Sequence, residues 1–294
     1  MNYGFVKAAA AVPEVRVGDC DFNSRQMQDL LFRAAKEQAE IVVFPELAVT
    51  GYTCADLFRQ RLLLDKAEEA LAELVAATAK LPLLCAVGLP VRAENALYNC
   101  AVIFQKGKIL GAVPKTFLPN YAEFYEKRWF RSGAQAPAEC IFLAGQEVPF
   151  GTDLLFACGD AVVGVEICED LWVPVPPSSL QALAGANIIL NLSASPEAAG
   201  KHAYLKSLIC QQSARCCAGY VYASAGFGES STDLVFAGNG FIAENGVLLR
   251  EAARFQTRSQ LIYSEIDVQR LQAERLLRGT FSDDAGPEDV RVIA

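Results

Sequence analysis

The sequence predicts an α/β protein with a sheet covered by helices on at least one face. Three observations predict it. Strand-like apolar runs alternate with segments whose apolar residues recur at helical spacing, hairpin signals interrupt that alternation, and three predicted strands lead into a polar residue of possible chemistry.

In chain order, Gly4 to Ala11 and Ile41 to Phe44 read as buried strands. Between them, Ser24 to Ala39 places Met27, Leu30, Leu31, Ala34 and Ala35 on one helical face, which makes a βαβ start. Leu62 to Lys80 is a second helix, followed by strands at Leu83 to Leu89 and Leu97 to Phe104. Gln105 to Lys108, with Gly107 available for a positive φ, turns the chain back into Ile109 to Val113. Asp153 to Ile167 holds two strands broken at Gly159 and Asp160, and the second, Ala161 to Ile167, delivers Cys168. Leu180 to Gly185, Ile188 to Leu192, Lys201 to Cys217 and Tyr220 to Ala225 continue as helix, strand, helix, strand. Asn245-Gly246 joins Phe241–Glu244 to Val247–Arg250 as a hairpin, and Leu261 to Ile266 ends the sheet. Residues 1–267 form the folded unit, and the charged stretch 268–294 is expected to be a tail or the start of a linker.

With 294 residues, 52% of them hydrophobic, the chain can bury a large core. A net charge of -8 offers no basic field for phosphates, so nucleic acid and anionic membrane surfaces are disfavoured as partners. Lys7 interrupts the only early apolar run before a signal-like segment develops, and no later stretch has the length of a membrane span, so a cytoplasmic location is expected. The ten cysteines include no CxxC pair, and there is a single histidine. Reduced core cysteines and no bound metal are expected.

In doubly wound and related sheets, ligands bind beyond the carboxyl ends of strands. Three residues stand there. Glu46 follows the strand stop at Pro45, where it is either a solvated loop acid or a base. Lys115 follows a hairpin strand inside a loop bounded by Pro114 and Pro119, where it is either a surface lysine or a cation for a developing oxyanion. Cys168 ends a buried strand beside Glu169 and Asp170, where it is either a core cysteine or a nucleophile; the other nine cysteines are read as core. A Cys–His arrangement would have to use His202 at the start of a helix, so a carboxylate base is at least as well supported.

A glutamate, a lysine and a cysteine in this order at three strand ends resemble the nitrilase superfamily, over nearly the full chain. Tyr3 to Asp19, Lys115 to Glu126 (KTFLPNYAEFYE), Gly228 to Asp233 (GESSTD), Glu244 to Leu249 and Arg270 to Phe281 further resemble the glutaminase domains of glutamine-dependent NAD synthetases. The resemblance implies a nitrilase-like αββα four-layer sandwich, with Glu46 as general base, Lys115 as oxyanion-stabilising cation and Cys168 as nucleophile. It implies that Glu123 is a second glutamate, eight residues after the lysine, and that Tyr121, Glu169 and Ser195 contact substrate glutamine. Lys201 falls where an arginine would be expected. A homo-oligomer and a partner synthetase domain are also implied. The pyrophosphatase loop SGGxDS is absent from these residues, so no cofactor is expected in this chain, with ATP and Mg belonging to the synthetase domain. Two other readings stay open at this point: a free-standing amidase or carbamoylase, and a non-catalytic assembly module.

Overall fold

The computed structural model describes residues 4–136, 139–283, 286–287 and 289–294. Tyr3, which opens one of the stretches quoted above, lies outside them. The strands are β1 (Phe5–Val12), β2 (Ile41–Val43), β3 (Leu84–Ala93), β4 (Ala96–Gln105), β5 (Lys108–Pro114), β6 (Cys140–Leu143), β7 (Gln146–Pro149) and β8 (Leu154–Cys158). They continue as β9 (Ala161–Ile167), β10 (Ile188–Ser193), β11 (Gly219–Ser224), β12 (Gly240–Glu244), β13 (Val247–Glu251), β14 (Gln260–Asp267) and β15 (Arg291–Ile293). The main helices are α1 (Cys20–Lys36), α2 (Arg61–Ala77), α3 (Pro177–Leu183), α4 (Lys201–Cys216) and α5 (Val268–Leu277).

Two sheets result, in the orders β14-β1-β2-β3-β4-β5 and β13-β12-β11-β10-β9-β8-β15. Side-chain alternation explains how they stack, because successive residues of a strand face opposite sides. Val6, Ala8 and Ala10 of β1 share one core with Val163 and Val165 of β9 and Leu190 of β10, so this core lies between the sheets. Ala9 and Ala11, on the other face of β1, pack with Met27, Leu30 and Leu31 of α1 and Leu71 and Leu74 of α2. Ile189, Tyr220 and Phe241, on the outer face of the second sheet, pack with Leu205 and Ile209 of α4. Three apolar layers thus separate four layers in the order α, β, β, α.

Local chemistry accounts for the element ends. The helix α1 starts four residues before the expected Ser24, because the Asp19 carboxylate accepts the Phe22 N–H at 3.0 Å and caps it there. The β12–β13 turn has φ of 44° at Asn245 and 91° at Gly246, the paired positive values that a two-residue hairpin needs. The β6–β7 hairpin, which the apolar pattern did not single out, is a small separate sheet.

The stretch 268–294, expected as a tail or linker start, is docked on the body through the first turns of α5 and through β15. Val268 and Leu271 of α5 are buried, and β15 pairs in parallel with β8, Val292 opposite Leu155. Arg275 is the anchor. Its guanidinium donates to the carbonyls of Cys216 and Cys217 at 2.8 and 3.1 Å and of Ala186 at 2.5 Å, around the carboxyl ends of α4 and α3. Arg291 does the same for β15, binding Asp153 through two nitrogens at 2.6 and 2.7 Å. Composition hid this docking, since both anchors are charged residues in a polar stretch.

Candidate active site

The two sheets bring the three strand-end residues to one place. Glu46 follows β2 and Lys115 follows β5, both in the first sheet, while Cys168 follows β9 in the second. Two backbone bonds set them. Lys115 N–H donates to Asn99 of β4 at 2.8 Å, and Glu46 N–H crosses to the Ser193 carbonyl at the end of β10 at 3.2 Å.

Glu46 is 1% exposed and Lys115 is fully buried, so neither is the solvated surface group that each could have been. Lys115 Nζ donates to Glu46 Oε1 at 2.6 Å and to both oxygens of Glu126 at 2.7 and 2.9 Å. Burial works against the ammonium, but Glu126 and Glu46 outweigh it and hold the Lys115 pKa well above the ordinary lysine value. Asn99 donates a second bond to Glu46 Oε1, at 2.6 Å, whereas Glu46 Oε2 is buried with no partner among the described residues. An unpartnered buried carboxylate oxygen is costly unless it has a proton to accept.

Cys168 opens a tight turn, Cys168–Leu171, and has φ of 45°, a strained value for a residue with a Cβ. Asp170 holds this turn, accepting the Ile167 N–H at 3.0 Å on one oxygen and the Phe117 N–H of the Lys115 loop at 2.8 Å on the other. Burial pushes the Cys168 thiol far up, and Glu46 adds to that, while Lys115 and the Ala194 N–H pull it down by less. Lys115 thus draws the sulfur toward the thiolate by less than burial holds it back. Burial therefore favours the thiol form, because desolvation exceeds the attraction of an ammonium shared by two carboxylates.

Besides Glu46, the glutamate that meets Lys115 is Glu126, eleven residues after it, whereas Glu123, expected as a second glutamate, is turned outward. Glu123 is exposed on the rim of a cleft of about 200 Å³ that Tyr52, Phe124, Tyr125 and Ser230 also line. Glu126 is buried, with its pKa raised to about 7 by desolvation, which Lys115 partly opposes. Both glutamates lie in the segment AEFYE, and linear spacing could not say which one turned inward.

Of the remaining predicted residues, Tyr121 and Lys201 are near enough to Cys168 to feel its field. Tyr121 donates to Glu169 Oε1 at 2.8 Å, Ser195 is buried just beyond β10, and Lys201 Nζ lies 5.2 Å from the centre of the Trp172 ring. Burial lowers the Lys201 pKa, against the opposing fields of Cys168, Glu123, Glu197 and Glu169. His202 points elsewhere. Its Nδ1 bonds Asn239 at 3.1 Å and its Nε2 bonds Glu251 at 2.8 Å, leaving neither nitrogen for a thiol. Sequence reasoning missed Asn99, Glu126, Tyr52 and Asp170. Asn99 carried a usable signal, being a polar residue inside the apolar strand ALYNCAVIF. The other cysteines are free, and Cys140 departs from the core expectation by being exposed.

A carboxylate with a free oxygen, a buried ammonium and a thiol, brought together at strand ends of two facing sheets, can attack a carbonyl carbon and hold the resulting oxyanion. Glutamine-dependent NAD(+) synthetase of Mycobacterium tuberculosis (strain H37Rv) is 44% identical over 286 residues, which is 96% of this chain and 42% of that protein. The synthetase of that name from Aquifex aeolicus is 31% identical over 264 residues, 89% of this chain and 42% of the relative. The crystal structure of a glutamine-dependent NAD(+) synthetase from Cytophaga hutchinsonii superposes with a TM-score of 0.81 at 31% identity, covering 89% of this chain and 43% of that one. The chain thus spans less than half the length of these relatives. A model of the carbon-nitrogen hydrolase family matches residues 7–275, a span that holds Glu46, Lys115, Glu126 and Cys168 together, and the chain belongs to that family.

Proposed function

We propose that this chain hydrolyses the side-chain amide of glutamine, as the ammonia-releasing half of a glutamine-dependent NAD synthetase. The observation that carries the chemistry is the unpartnered Glu46 Oε2, on a carboxylate near enough to the Cys168 thiol to raise its pKa along with burial. Glu46 takes the thiol proton as Cys168 attacks the amide carbon. Lys115 and the Glu169 N–H hold the tetrahedral oxyanion. Glu46 returns the proton to the departing nitrogen, and ammonia leaves a glutamyl thioester. Water, losing its proton to the same carboxylate, cleaves that thioester to glutamate and the free thiol. Glu126 keeps Lys115 charged and oriented, supported by its two contacts to the ammonium.

Glutamine is favoured by the polar groups around the thiol. Lys201 offers a cation for the substrate carboxylate, and Glu169, oriented by Tyr121, offers an anion for its ammonium, with Ser195 beside them. ATP and Mg act in a separate synthetase domain that consumes the ammonia, and the assembly is a homo-oligomer. The experiment is an assay of the purified protein for glutamate and ammonia from glutamine, beside asparagine and simple aliphatic amides. Equal release of the two products from glutamine, with little from the other amides, is the expected result. Preference for an aliphatic amide would replace this reading with a free-standing amidase.

A further inference from the structure

The run Gly228 to Asp233 has no place in the chemistry above, yet its glutamate is turned inward. Glu229 Oε1 accepts the Tyr52 N–H at 2.7 Å, and Oε2 accepts the Thr53 N–H and hydroxyl at 3.0 and 2.6 Å. The Ser230 N–H closes the arrangement on the Thr53 hydroxyl at 2.8 Å. The loop is seated from behind as well. At Gly228, with φ +105°, a Cβ would stand 1.7 Å from the Val15 carbonyl oxygen, so no other residue fits there. The turn that receives this carboxylate, Tyr52–Arg59, has no side-chain cap of its own and breaks at Ala55, with φ 49° and ψ -132°. Its first two N–H groups are therefore satisfied by Glu229.

Tyr52 carries the contact onward. Its hydroxyl donates to Glu126 Oε1 at 2.9 Å, the oxygen that Lys115 Nζ meets at 2.7 Å. We propose that Glu229 is a positioning residue which, by holding the backbone at Tyr52 and Thr53, places the Tyr52 hydroxyl on Glu126 and so fixes the carboxylate that orients Lys115. The role rests on the reading of Lys115 as the oxyanion cation. Glu126 is faced by Lys115 from the end of β5, Glu46 from the end of β2 and Tyr52 from this turn. A hydroxyl donated to a carboxylate favours its charged form, so losing that bond leaves Glu126 neutral to a higher pH.

The test uses Glu229→Gln, Tyr52→Phe and the double variant. Each single change should lower kcat about tenfold, the worth of one hydrogen bond to a charged group, with KM for glutamine little changed. The acid limb of the kcat profile should move to higher pH in both. The double variant should be no worse than the poorer single one, because the two act through one bond. Losses that multiply in the double variant would overturn the relay. So would a Glu229→Gln protein that melts lower but keeps full kcat per site titrated with a glutamine-like diazoketone and an unmoved acid limb. If Glu229→Gln does not fold, Thr53→Val removes one of its three donors and should shift the limb in the same direction by less. The Glu126 carboxyl, followed by its carbon-13 shift, should titrate higher in these variants whether or not glutamine is turned over. That readout separates failure of the relay from failure of the glutamine reading.

Discussion

Replacing Lys115 by Met separates the ion pairing seen in the structure from the oxyanion role proposed for this ammonium. It sits fully buried, 2.6 Å from Glu46 and 2.7 Å from Glu126, so its removal leaves two carboxyl groups facing each other without a cation. Breaking a buried ion pair from one side costs about 3 kcal/mol at the lower end of measured cases, moderated here because Glu126 can take up a proton. In a chain of this size that corresponds to a fall in Tm of roughly 6–12 °C. Loss of an oxyanion donor should separately reduce kcat by about 100- to 1000-fold. Adding Glu126→Gln removes one of the stranded carboxylates while keeping an acceptor for the Tyr52 hydroxyl. The double variant should regain about half of the lost Tm and none of the lost kcat. Differential scanning calorimetry and ammonia release measure the two effects on the same samples. Recovery of turnover together with Tm would refute the reasoning, since it would mean that Lys115 serves only to balance charge.

The base can be assigned by pairing Glu46→Gln with His202→Gln. The first should lose at least about 100-fold in kcat, because an amide cannot accept the thiol proton, and the second should remain active; equal losses in a steady-state assay would remove the carboxylate base. Cys168→Ala should abolish glutamate release without altering the circular dichroism spectrum, since the thiol is assigned to chemistry. A simple maleimide should label exposed Cys140 first, whereas a glutamine-like diazoketone should label Cys168 despite its raised pKa, because Glu46 deprotonates it during attack. Mass spectrometry of the two adducts checks this, and diazoketone labelling led by Cys140 would contradict it. Arg275→Met should lower Tm by roughly 6 °C or more, as buried carbonyls at two helix ends lose a charged donor, while kcat per folded protein is retained.

Much of the architecture is legible in the chain, because the periods of 2 and 3.6 residues that bury one face of a strand or helix are written in local order. Apart from the β6–β7 hairpin, the strands from β1 to β14, the Asn245-Gly246 turn and the placement of Glu46, Lys115 and Cys168 at strand ends follow from that periodicity, together with proline and glycine punctuation. What the tertiary structure decided lies between elements that are distant in sequence. Whether Glu123 or Glu126 meets Lys115 depends on how one loop turns against a sheet formed by other segments, and both residues look alike in a line. The docking of 268–294 depends on Arg275 finding carbonyls about sixty and ninety residues away, which no local pattern encodes. The charge state of Cys168 is the clearest case. Its neighbours in sequence are acids and a lysine lies near it in space, yet desolvation, a property of the closed sandwich around it, dominates its pKa.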